Sequence, residues 1–100
     1  MLSGTKKING FSVIIFSDPC CPICQVYLEE ISDVIDDYDI TVHDLTDDAV
    51  FFYKKRIIPE EGIPCTAIID SNNQLVSYSK KYMDCESLIE FITTETQKAC

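Results

Sequence analysis

The sequence predicts an α/β domain of order βαβαββα, with one four-stranded mixed sheet and helices on both faces. Three observations predict it. Phe11 to Phe16 is an almost wholly apolar run, rich in β-branched and aromatic residues, as a strand buried on both faces requires. Apolar side chains at Ile23, Val26, Tyr27, Ile31, Val34 and Ile35 then recur at helical spacing. Further on, Ser71-Asn72-Asn73 separates two apolar runs as a hairpin turn would.

Taken in order, residues 1 to 10 form a short lead-in that closes on the turn signal Asn9-Gly10. The first strand is expected over 11–16 and the first helix over 22–37. That helix ends in an acidic run, Asp33, Asp36, Asp37 and Asp39, which opposes the helix dipole. A second strand, Ile40 to Leu45, follows a tight connection. Thr46 is expected to cap a short helix rich in aromatics (Phe51, Phe52, Tyr53). Asp47 and Asp48 fall in its first turn and Lys54, Lys55 and Arg56 in its last, where the dipole favours each sign of charge. Pro59 and Gly62 mark the next loop. Thr66 to Asp70 and Gln74 to Lys80 are the strands of the hairpin. Asp84 is the expected N-cap of a final helix reaching about Lys98, with Leu88, Ile89, Phe91 and Ile92 facing the sheet. The first βαβ unit implies parallel neighbours joined by a right-handed crossover, and the hairpin adds antiparallel strands.

One hundred residues without linker, repeat or low-complexity segment read as a single domain, 1–100, large enough for a modest core. No apolar run approaches the roughly 20 residues of a membrane span, and no signal-peptide pattern opens the chain. The net charge of −9 argues against nucleic acid. The basic residues cluster as Lys6-Lys7, Lys54-Lys55-Arg56 and Lys80-Lys81 near element ends and read as solubilising. Neither membrane nor nucleic acid is an expected partner.

The chemistry lies in Asp18-Pro19-Cys20-Cys21-Pro22-Ile23-Cys24. A Cys-x-x-Cys pair directly after a buried strand, opening an amphipathic helix, reads as a cytosolic redox motif rather than a secreted disulfide framework. Cys21 falls at the helix N-terminus, where unpaired backbone N–H groups and the macrodipole favour a thiolate nucleophile. Cys24, one turn on, can close a disulfide with it. Cys20 reads as a loop bystander, Cys65 as a small buried strand residue, Cys85 as a half-buried helix residue and Cys100 as a terminal thiol. An alternative groups Cys20, Cys21, Cys24 and Cys65 as a tetrathiolate site for zinc or an iron–sulfur cluster. His43 reads as structural, and Tyr53, Tyr78 and Tyr82 as core edge.

With Cys-Pro-Ile-Cys after the first strand and Gly62-Ile63-Pro64 before the third, the chain resembles the thioredoxin/glutaredoxin superfamily from Phe11 onward. The resemblance implies the thioredoxin fold, a cis Ile63–Pro64 bond, and Ile63 offering its backbone to a substrate strand beside Cys21. Phe16 to Cys24 is similar to the glutaredoxin pattern, as is the short N-terminus, whereas Gly62-Ile63-Pro64 before an apolar strand is similar to thioredoxin. The chain has Cys20 where thioredoxins usually have Trp, and Ile15 in place of their buried Asp. At the glutaredoxin Gly-Gly positions stand Met83 and Asp84, and Asp18 stands where a basic residue is common. The small acidic redoxins that serve one dedicated reductase are the nearest likeness overall.

The resemblance implies a cytoplasmic, monomeric thiol–disulfide oxidoreductase. Cys21 and Cys24 would be catalytic, Ile63 and Pro64 substrate-binding, and no cofactor is expected. Its partners would be a disulfide-containing protein substrate and a reductase or low-molecular-weight thiol as electron donor. Asp18 and Asp84 imply poor use of glutathione, since like charge repels its carboxylates. A non-catalytic interaction domain of the same fold is the remaining alternative.

Overall fold

The computed structural model describes residues 10–58 and 60–98. Lys6, Lys7, Asn9, Pro59 and Cys100, each read above for a role, lie outside them. The elements are β1 (Ser12–Ser17), α1 (Pro22–Glu30), α2 (Ser32–Asp37), β2 (Ile40–Asp44), α3 (Asp48–Ile57), β3 (Cys65–Ile69), β4 (Leu75–Ser79) and α4 (Cys85–Lys98). The sheet runs in the order β2-β1-β3-β4. β1 pairs with β2 in parallel, and the β1/β3 and β3/β4 pairs are antiparallel. The mixed four-stranded sheet of the thioredoxin fold is therefore present.

Alternation along β1 splits the core into two layers. Val13 and Ile15 point to one face, where Tyr27, Val34, Leu88 and Ile92 from α1, α2 and α4, with Ile31 between the first two helices, close over them. Ile14 and Phe16 point to the other, against Ile58, Cys65 and Ala67, with Val50, Tyr53 and Ile57 of α3 packed alongside. Helices thus cover both faces, and β1 is as buried as its composition requires.

The single helix expected over 22–37 is two helices. Ile31 sits between them with φ −101° and ψ 14°, and its side chain is fully buried. The Val34 N–H donates to the Ile31 carbonyl rather than to that of Glu30. The Glu30 carbonyl instead accepts from the Cys85 thiol at 3.1 Å. Glu29 and Glu30 close α1 with no basic residue in its last turn, so the dipole also disfavours continuation there.

The buried stripe of the first helix also differs from expectation. Cys24 and Tyr27 are buried, whereas Ile23 and Val26 are about half exposed, 49% and 51%. At the start of α3 the cap is Asp47, whose carboxylate accepts from the Ala49 N–H at 2.9 Å. Thr46 is committed elsewhere, its N–H and hydroxyl both bonded to Asp44. The hairpin turn forms as read. Asp70 accepts from the amides of Asn72 and Gln74, and Asn73 adopts φ 62°, a region Asn tolerates. Asp84 accepts from the Ser87 N–H at 2.8 Å, as a cap of α4 does. Among the described residues no helix is long and apolar enough to cross a membrane.

Candidate functional site

Strand register gathers the two motifs at one end of the sheet. Phe16 lies opposite Cys65 on an antiparallel neighbour. The chain leaving β1 towards Cys21 and the chain entering β3 through Ile63 and Pro64 therefore occupy the same edge. Parallel β2 delivers Leu45 there too, its N–H donating to the Ser17 carbonyl at 2.9 Å.

The loop between β1 and α1 is built by Asp18. Its carboxylate accepts from the Cys20 N–H at 2.8 Å, its carbonyl from the Cys21 N–H at 2.9 Å, and the same carbonyl from the Gln25 side chain at 3.1 Å. This turn hands the chain to Cys21 in an extended conformation, φ −101° and ψ 106°. Pro22 then occupies the first turn, where its missing N–H costs nothing and its fixed φ suits the helix. Cys21 is consequently the N-cap: its Sγ accepts from the Cys24 N–H at 3.3 Å. A sulfur in this place faces the orphan N–H groups of the helix start.

Cys21 and Cys24 differ in burial and in their surroundings. Cys21 is partly exposed and Cys24 fully buried. Burial pushes the Cys24 thiol up to about 11, and its hydrogen bond to the Cys21 side chain adds to the effect. Cys24 therefore holds its proton at neutral pH. Cys20 is exposed in the loop. Cys65 is buried at the start of β3, and its thiol is raised by burial, opposed by the nearby Lys54 and Lys80. All of these cysteines carry free thiols. Among the described residues no three His, Cys, Asp or Glu side chains are grouped to hold a metal ion, so the tetrathiolate arrangement is not formed.

The Ile63–Pro64 bond is cis, as the resemblance implies. Pro64 is buried and Ile63 half-buried. Ile63 also lines a cleft of about 460 Å³, together with Leu45, Phe51, Ile58, Lys54 and Lys55. The remaining aromatic and basic residues fall mostly into structural places. His43 stacks on Phe16, Tyr53 donates to Asn73, and the ammonium of Lys55 lies over Phe51. Tyr82, 44% exposed, rests against the buried Tyr27.

Sequence reasoning misses two features here. It weighs Asp18 only as a charge, although Asp before Pro and Cys is a turn-forming signal that its carboxylate fulfils. It does not single out Glu60 at all. The Glu60 carboxylate pairs with Lys80 at 2.7 Å and accepts from Tyr78 at 2.8 Å, partners too distant in sequence to leave a local signal.

No family model and no curated protein matches the chain. Solved structures do. A mutant thioredoxin from Halobacterium salinarum superposes with TM-score 0.68 at 16% identity, covering 88% of this chain and 76% of that one. This chain has the thioredoxin fold. A disulphide isomerase from Xylella fastidiosa gives TM-score 0.65 at 13% identity, over 88% of this chain and 79% of the other. Malassezia sympodialis thioredoxin gives 0.67 at 14%, over 95% and 80%. Identities this low make these likenesses of fold. For this thioredoxin-fold chain the chemistry must be argued from its own residues.

Proposed function

We propose that this chain is a thiol–disulfide oxidoreductase that reduces protein disulfides through Cys21 and Cys24. The observation that carries the reading is the asymmetric pair itself. A partly exposed sulfur caps a helix, and a buried, protonated thiol stands one turn behind it. The Cys21 thiolate attacks one sulfur of the substrate disulfide, forms a mixed disulfide and expels the other sulfur as thiolate. Tying up Cys21 removes its hydrogen bond and charge from Cys24, two of the causes that hold the Cys24 proton. Cys24 then gives that proton to solvent, from which the expelled substrate thiolate takes one up, and its thiolate attacks the Cys21 sulfur. The second substrate thiolate leaves, and Cys21–Cys24 remains as the disulfide. The substrate gains two electrons and the protein loses two. A reductase or low-molecular-weight thiol resupplies them, and a reducing compartment such as the cytoplasm suits this direction.

Exposed Ile23 and Val26 on α1 give the site an apolar border that suits an extended protein segment rather than a small polar thiol. The test is reduction of insulin disulfides with a dithiol donor. Wild type turns over, Cys21→Ser does not, and Cys24→Ser accumulates substrate on Cys21. Equal trapping by the two variants, or turnover by Cys21→Ser, overturns the assignment.

A further inference from the structure

The segment that leads into Ile63 is held from two sides. From α3, Lys54 is 7% exposed and donates its ammonium to the Glu60 carbonyl at 3.2 Å. From the end of β4, Lys80 reaches the Glu60 carboxylate at 2.7 Å and the Glu61 carbonyl at 3.3 Å. Tyr78 of β4 donates to the other Glu60 oxygen at 2.8 Å. The Lys80 stem also covers Gly62, where a Cβ would come 3.1 Å from its Cδ. Gly62 has φ +132°, a backbone that other residues adopt only under strain. Residues 60 to 62 are therefore tied, one after another, to elements that the loop does not itself belong to. None of these bonds reaches Cys21 or Cys24.

An ion pair as exposed as Glu60–Lys80 contributes little to global stability. Its consequence is local: it fixes the path of the three residues before Ile63. Those residues and Ile63 form one wall of the cleft, and Lys54 and Lys55 line it too. We propose that Glu60, with Lys80 and Tyr78, is a positioning unit that presents the Ile63 backbone to an incoming protein segment, acting on substrate capture and not on thiol chemistry. The inference rests on the oxidoreductase reading above.

The experiment compares Glu60→Ala, Glu60→Gln and Lys80→Met with wild type on two substrates. One is insulin. The other is a small aromatic disulfide, which has no peptide backbone to pair with that of Ile63. For insulin, Glu60→Ala is expected to raise KM about three- to tenfold, the loss of a charge-assisted contact, with kcat little changed. The small disulfide and the alkylation rate of Cys21 stay within about twofold, since the thiols are untouched. Glu60→Gln, which can still accept from Tyr78, recovers part of the KM. Should Glu60→Ala destabilise the fold, Glu60→Gln and Lys80→Met carry the same test. An unchanged insulin KM in an active protein overturns this inference alone, as does equal loss on both substrates. A wild type that reduces neither substrate overturns the oxidoreductase reading and this inference with it.

Discussion

At the scale of single residues, the two thiols of the motif are set apart by one turn of helix. Cys21 reaches solvent and Cys24 does not. Alkylation of the reduced protein near neutral pH should label Cys21 well ahead of Cys24 and Cys65, read by peptide mapping. Faster labelling of Cys24 would reverse the assignment of nucleophile and resolving thiol. The Cys24 thiol, ordinarily at 9.0 and here about 11, also sets a pH dependence of stability. Between those values the unfolded chain has released this proton and the folded chain still holds it. Its contribution is therefore complete below about pH 9 and is lost as the pH rises towards about 11. Cys65 shifts in the same direction. Denaturant midpoints measured across this window should fall more steeply for reduced wild type than for Cys24→Ser. Parallel curves would refute the buried-thiol account.

At the scale of elements, α1 is fastened to β3 beneath the site. Tyr27 and Thr66, both fully buried, share a hydrogen bond of 2.8 Å. Tyr27→Phe should cost about 1–3 kcal/mol by denaturation, because it strands the Thr66 hydroxyl in the core. Tyr27→Phe combined with Thr66→Val removes both partners and should cost less than Tyr27→Phe alone. A double variant weaker than the single one would show that packing, and not the unsatisfied hydroxyl, dominates. On the oxidoreductase reading proposed above, the start of α4 bears on which electron donor is used. The Asp84 carboxylate is bonded to the Ser87 amide and held below its ordinary range by that bond, so it is ionised at neutral pH. Asp18 adds a second carboxylate in the loop before Cys21. Weak turnover in a glutathione-coupled assay is expected, improved by Asp18→Lys together with Asp84→Gly. Gly replaces Asp at an N-cap at a cost of only a few tenths of a kcal/mol; because Asp18→Lys also gives up the carboxylate that accepts from the Cys20 N–H, Asp18→Asn, which keeps an acceptor there, is measured beside it. Efficient turnover of the unmodified protein at physiological glutathione would remove charge as an explanation.

At the scale of the whole molecule, a net charge of −9 on 100 residues governs approach more than fold. The basic residues Lys54, Lys55, Arg56, Lys80 and Lys81 lie at the ends of α3 and β4, and Lys54 and Lys80 are engaged with the loop before Ile63. The net field of the chain repels anions. Raising the salt from about 0.02 to about 0.5 M, which shortens the screening length several-fold, should speed reduction of an acidic disulfide peptide and slow that of a basic one. Stopped-flow rates on the two peptides decide it. The same salt response for both would mean that the local charges near Ile63 outweigh the overall field.

The sequence by itself determined whatever depends on neighbours a few residues apart. The apolar run of β1, the Cys-Pro-Ile-Cys helix start, the Asn-rich hairpin turn and the Asp84 cap are local, and each forms as read. The α/β order and the parallel β1–β2 unit follow from those signals and from the handedness of crossovers. Tertiary structure decided the rest. Which stripe of α1 is buried could not be read by counting apolar positions, because Cys24 takes a core place and leaves Ile23 and Val26 outside. At the break at Ile31 the Glu30 carbonyl accepts from the Cys85 thiol, a partner supplied by α4. The tie of Glu60 to Lys80, Tyr78 and Lys54 exists only because the sheet brings β4 and α3 to opposite sides of one loop. Local propensity acts within a turn of helix or a few residues of strand. Contacts between residues far apart in the chain are fixed only when the sheet closes.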